Sequence, residues 1–173
     1  LKPLGRLHSG QEAYEAAQIF EKAGATNYNL DLMFGFPRQT LREVESDVKT
    51  ALSLNPTHLS FYNLTVEPNT LFAHQFERGE IHIPDNELQA EMYQLGVQLL
   101  TSSGYDAYEI SNFSKINFSC QHNLAYWHYN DYLGIGAGAV SFLKQSFFNE
   151  DRGDFYGYRW TNPKTPKEYV ETS

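Results

Sequence analysis

Within eight residues, Cys120-Gln121-His122-Asn123-Leu124-Ala125-Tyr126-Trp127 brings together a thiol, an imidazole, an amide and two large rings. A c-type haem attachment would read C-x-x-C-H, and a zinc site needs several more ligands at short spacing, so neither applies. Two readings remain. In one, His122 and Asn123 cap a short helix whose Tyr126 and Trp127 enter the core. In the other, the segment holds a metal or cofactor, with the imidazole of His122 as a ligand.

Asp31, in YNLDLMF, is the second candidate. Alternation places Tyr28, Leu30, Leu32 and Phe34 on one face of a strand and Asn29, Asp31 and Met33 on the other. If the two flanking capped helices cover the leucine face, Asp31 points away from them, and a buried carboxylate there needs a partner. Ribose hydroxyls, a cation or an arginine such as Arg6 would serve, as would an internal ion pair or a loop cap. Glu67, at the end of a later strand, is a further candidate of the same kind. His8, His58, His74, His82 and His128 have no spacing that suggests a shared site, and Asp47, Glu12, Glu15 and Glu21 fall on predicted outer helix faces.

The elements that position these groups follow from caps and periodicity. Ser9 with Glu12 opens a helix that Gly24 stops, and Thr40 with Glu43 opens a second that Asn55-Pro56 ends. Between them lies the Asp31 strand, and HLSFYNLTVEP follows as a second strand, so the two make a parallel βαβ unit. NTLFAHQFERGE predicts a short helix or irregular arm, and a longer helix starts at Asp85 and closes at Gly104. YDAYEIS predicts a third strand, YLGIGAGAVSFL a Gly-rich strand, and FYGYRWT an edge hairpin. GIGAGA is not a dinucleotide fingerprint, because the β-rich VSFLKQSFF follows it where a helix is required. Thr165 with Glu168 begins a last helix.

With 173 residues, 41% of them hydrophobic, the chain can bury one sizeable core or two small ones. A net charge of -8 gives no footprint for nucleic acid or anionic membranes. The single cysteine closes no disulfide within the chain and no apolar run is long enough to span a bilayer, so a reducing cytoplasm is expected. Starting at Leu1 and stopping within a helix, the sequence reads as an excerpt.

Taken in order, LGRLHSG, NYNLDLMFGFPRQT, HLSFYNLTVEPNT, YEISNFS, CQHNLAYW and YLGIGAGAVS resemble the middle and latter part of the radical S-adenosylmethionine enzymes related to oxygen-independent coproporphyrinogen III oxidase. Within that group the chain is most similar to the haem chaperone branch, the HemW family, from Leu1 to about Val170. The resemblance implies an α/β fold: the C-terminal part of an incomplete (β/α)6 radical SAM barrel followed by an accessory β-rich region. Residues 1–68 would hold the last βα units, 69–164 a helix and β-rich extension, and 165–173 the start of a C-terminal helical domain.

The same resemblance implies the site residues. Arg6, Asp31, Thr65 and Val140 match adenosylmethionine-binding positions, with Thr65 standing where the oxidases have alanine. In the oxidases, Arg6, Asp31 and Thr65 correspond to the site of a second adenosylmethionine. His122 matches a candidate axial ligand to haem iron. The [4Fe-4S] cluster would be bound by a C-x3-C-x2-C loop, which this sequence lacks, so that loop is expected upstream of Leu1.

The function implied is that of a chaperone that binds haem and hands it to an acceptor haem protein, with the N-terminal half of its own barrel as a further partner. One alternative is a coproporphyrinogen III oxidase of haem biosynthesis, and another is a non-catalytic α/β interaction domain. Whether the parent protein is an enzyme stays open. In either cofactor reading the segment alone is expected to be inactive.

Overall fold

The computed structural model describes residues 9–148 and 156–172. Its first helix, α1 (Gly10–Lys22), starts with a reciprocal cap: Ser9 Oγ accepts from the Glu12 amide at 3.2 Å while the Glu12 carboxylate accepts from the Ser9 amide at 2.7 Å. Thr40 and Glu43 repeat the arrangement at the head of α2 (Leu41–Ser53), at 3.3 and 2.8 Å. Each such cap satisfies amides that the helix itself leaves unpaired, typically worth about 1 kcal/mol. Thr70 caps α3 (Leu71–Glu77), and Asp85 caps α4 (Asn86–Ser102).

The strands β1 (Asn29–Phe34) and β2 (His58–Asn63) run parallel, in the register Asn29 opposite His58 and Asp31 opposite Ser60. They belong to a four-stranded sheet that also holds β3 (Asp106–Ala107) and β4 (Asn112–Ser114), in the order β1-β2-β4-β3, with β4 antiparallel to both neighbours. YDAYEIS is therefore not one strand: the chain leaves the sheet after Ala107 and returns at Asn112. Tyr108 and Glu109, in the turn between, make side-chain bonds that replace ladder bonds.

One face of this sheet is the core. Phe34, Leu59, Phe61 and Phe113 pack there against Val44, Val48 and Ala51 of α2 and Met92 and Leu100 of α4, with Leu30 and Leu32 alongside. The covering helices are thus α2 and α4, not α1 and α2. Helix α1 buries only Ala17 and leaves Ile19 and Phe20 exposed, because an alanine-rich stripe removes little apolar surface.

The chain divides into two units after Ser119. The second holds α5 (Gln121–Trp127), β5 (Val140–Lys144), a 3-10 turn at Gln145–Phe148, β6 (Gly157–Thr161) and α6 (Pro166–Thr172). Strands β5 and β6 are antiparallel, and Tyr132 adds a single bridge opposite Phe142. Of FYGYRWT, Gly157–Thr161 form one strand, while Phe155 lies outside the described residues. The run before Val140 is not a strand either: Gly136 and Gly138 have φ of +105° and +72°, and the Asn162 amide donates to the carbonyls of Gly134 and Gly136 at 3.1 and 3.0 Å. Positive φ at two of three residues breaks the extended conformation that a ladder requires.

Candidate functional site

Because α2 and α4 occupy one face of the four-stranded sheet, its other face carries the alternate set of side chains: Asn29 and Asp31 from β1, His58 and Ser60 from β2, Asn112 from β4. They form a hydrogen-bonded patch. Asn29 Nδ2 donates to Asp31 Oδ1 at 2.6 Å, so the opposite end of that amide, Oδ1, faces His58 Nδ1 at 2.6 Å and Ser60 Oγ at 3.3 Å. On its far side His58 Nε2 lies 2.7 Å from the Tyr108 hydroxyl. Ser60 Oγ also donates to Asn112 Oδ1 at 2.9 Å, and the Asn112 amide donates to Glu109 at 2.5 Å.

Within the patch, Asp31 is exposed and His58 is 7% exposed. Burial holds the His58 imidazole below its ordinary value, although the Asp31 and Glu109 carboxylates pull the other way. Asp31 stands mid-strand, three residues short of the carboxyl end of β1. No bond to its second oxygen, Oδ2, is found among the described residues. His58 is the residue that sequence reasoning passed over. Its signal was its period-2 relation to Ser60, but the register that pairs it with Asn29 is tertiary information.

Of the other predicted residues, Arg6 lies outside the described residues. Thr65 is exposed just past β2, and Glu67 is exposed further along, where its carbonyl accepts from Thr70 Oγ1 at 2.8 Å. Val140 is the exposed first residue of β5, in the second unit.

His122 is also in the second unit, within α5 rather than at its cap; the capping position is Cys120. Tyr126 and Trp127 are 43% and 52% exposed, so the reading that buries them in a core is corrected: a two-turn helix hides at most one side, and theirs faces out. The exposed His122 ring meets Tyr126 edge-on at 4.9 Å, and Tyr126 meets Tyr132 edge-on at 4.7 Å. An imidazole thus ends a row of aromatic rings at the surface. Cys120 is the one cysteine of the sequence, and no group of three or more His, Cys, Asp or Glu able to hold a metal ion occurs among the described residues.

No family model matches the chain. Related sequences do. The chain is 48% identical over 139 residues to the protein named "Heme chaperone HemW" of Escherichia coli (strain K12), covering 80% of this chain and 36% of that one. This chain is homologous to the HemW haem chaperones. The HemW of Buchnera aphidicola subsp. Acyrthosiphon pisum is 39% identical, with 94% and 44% coverage, and that of Mycobacterium tuberculosis 33% identical, with 99% and 41%. The chain therefore spans well under half the length of these HemW relatives. Among solved structures it is similar to the radical SAM enzyme coproporphyrinogen III oxidase (HemN) from Escherichia coli, with a TM-score of 0.67 and 23% identity over 97% of this chain and 38% of that one. The chain thus shares the fold of that structure, and among the described residues its mixed four-stranded sheet does not close into a barrel.

Proposed function

We propose that this chain is part of a haem chaperone of the cytoplasm, which binds haem as cargo and passes it to an acceptor haem protein. The HemW relatives support the reading by name, and the lone cysteine fits a reducing compartment. The observation that carries it is His122: an exposed imidazole held edge-on to Tyr126, with Trp127 exposed beside it. Imidazole is a common axial ligand of haem iron, and aromatic surface suits a porphyrin edge or face. In the full-length protein, His122→Ala is expected to weaken haem binding and to move the Soret band. Unchanged affinity together with an unchanged Soret position would remove His122 from the proposal.

In the same reading the open face of the sheet serves an adenosylmethionine molecule, whose ribose hydroxyls donate to Asp31. Thr65, Val140 and Arg6 are assigned to this ligand by resemblance alone. A carboxylate whose second oxygen has no partner among the described residues, on an exposed strand position, is a suitable acceptor for a diol. A [4Fe-4S] cluster does not fit these residues, because clusters need several thiolates and the sequence has one. A protein of these 173 residues alone, kept with strong reductant, is therefore expected to give no 5'-deoxyadenosine above a protein-free control.

A further inference from the structure

The order of donors across the open face is fixed from one end. A carboxylate oxygen only accepts, so the Asn29 group 2.6 Å from Asp31 Oδ1 is the amide nitrogen, and the carbonyl oxygen is left for His58. That oxygen also only accepts, so His58 carries its proton on Nδ1. Its Nε2, in the neutral ring, then accepts from the Tyr108 hydroxyl. A directional chain results: Tyr108 hydroxyl to His58, His58 to Asn29, Asn29 to Asp31. Its four members come from three segments, two from β1, one from β2 and one from the turn after β3, so the turn that interrupts the predicted third strand is what supplies its far end.

We propose that His58, locked by Tyr108, is a positioning residue that holds the Asn29 amide against Asp31 so that only Oδ2 is presented to a ligand vicinal diol. The proposal rests on the reading of Asp31 as a nucleoside anchor. Without His58 the Asn29 amide is free to rotate, and the carboxylate loses both the donor that neutralises Oδ1 and the contact that fixes its plane. Ser60 bonds to the same Asn29 oxygen but at 3.3 Å, too long to replace the 2.6 Å bond from the ring.

The test uses the full-length protein, with adenosine and 2',3'-dideoxyadenosine as probes in equilibrium binding. The wild type is expected to prefer adenosine by at least about tenfold, the range of a hydrogen bond to a charged group. Asn29→Asp, which keeps the acceptor for His58 but replaces the donor to Asp31, is expected to lose most of that preference. Tyr108→Phe and His58→Phe should do likewise, and Asn29→Gln to restore none of it. If Asp31→Ala retains the preference, the anchor reading itself fails. If Asp31→Ala abolishes it while Asn29→Asp and His58→Phe keep it whole, the anchor stands and the positioning role is overturned. Long-range nitrogen NMR of the His58 ring gives a readout free of ligand and independent of whether a variant folds. The wild type is expected as the Nδ1-protonated tautomer, and an Nε2-protonated ring would reverse the chain and overturn the proposal.

Discussion

Gly96 of α4 lies directly against Phe61 of β2: a Cβ built on Gly96 would stand 2.1 Å from Phe61 Cε1. The Phe61 ring cannot withdraw, because it is 2% exposed and stacked on Phe34 at 4.5 Å between centroids. Alanine at 96 would gain about 1 kcal/mol of helix propensity, yet overpacking a closed core costs about 1–3 kcal/mol and forces α4 off the sheet. Gly96→Ala is therefore expected to destabilise, whereas Gly10→Ala, with nothing within 4 Å, should be neutral or mildly stabilising. Urea unfolding of both variants measures this, and a Gly96→Ala protein as stable as wild type would mean that α4 does not sit on Phe61.

Tyr105 joins the same core to the β2 entrance. Its hydroxyl donates to the Pro56 carbonyl at 2.5 Å, and burial, with a smaller push from Tyr28, moves its pKa up to about 12. Tyr105→Phe removes the donor but not the carbonyl, which is left buried without a partner, at a cost of about 1–3 kcal/mol. The measurement is a lowered denaturation midpoint with an unchanged m value. In spectrophotometric titration, Tyr105→Phe should also remove absorbance change from the late, most alkaline part of the curve.

What the sequence makes legible is local. Two capping boxes fixed the starts of α1 and α2, and period-2 alternation assigned Leu30 and Leu32 to one face of β1 and Asp31 to the other. Which helices cover the leucine face is not local. The alanine stripe of α1 and the valine stripe of α2 look alike in period but not in the area they bury, and α4 follows after β2 with nothing in its own pattern that names its partner. The break in YDAYEIS carries no Gly or Pro to announce it. Its turn is held by Glu109, which accepts from the Ser111 and Asn112 nitrogens, and by Tyr108 on His58, so the stop is written in tertiary hydrogen bonds. The candidate site follows the same division: Asp31 and His122 were visible as residue types in patterns, whereas His58 became visible only through register.

The βα turn after β1 depends on one buried amide. Gln39 Oε1 accepts from the Gly35 amide at 2.8 Å and from the Phe36 amide at 3.3 Å, while its Nε2 donates to Asp47 at 3.3 Å. Gln39→Ala leaves the buried Gly35 N–H unpaired and is expected to cost about 1–3 kcal/mol. Gln39→Glu keeps both acceptor bonds but sets a second carboxylate against Asp47, whose own pKa is already held above the ordinary carboxylate range by desolvation and then by Glu43, although the residue as a whole is exposed. Folding of Gln39→Glu then favours a bound proton, so its stability relative to wild type should fall as pH rises from about 4 to about 7. Denaturation at several pH values checks this, and a pH-independent difference would mean that the two side chains do not meet.

His58 makes the opposite pH signature. Burial lowers its folded-state pKa below the unfolded value of 6.5, so the native state favours the neutral ring. Well above 6.5 both states are neutral at this position and the full contribution of the ring and its two hydrogen bonds is present. As pH falls through 6.5 the unfolded chain takes up the proton first, and stability is lost until the folded ring itself titrates, below which the contribution is flat. The slope in that window is at most about 1.4 kcal/mol per pH unit for one proton. Urea unfolding from about pH 7.5 to about pH 5.5, wild type against His58→Gln, isolates the term, since every other group is shared. The stability advantage of the wild type is expected to shrink on acidification. An advantage that stays constant or grows would show that the ring is not kept neutral, and with it that Nε2 is not the acceptor for Tyr108.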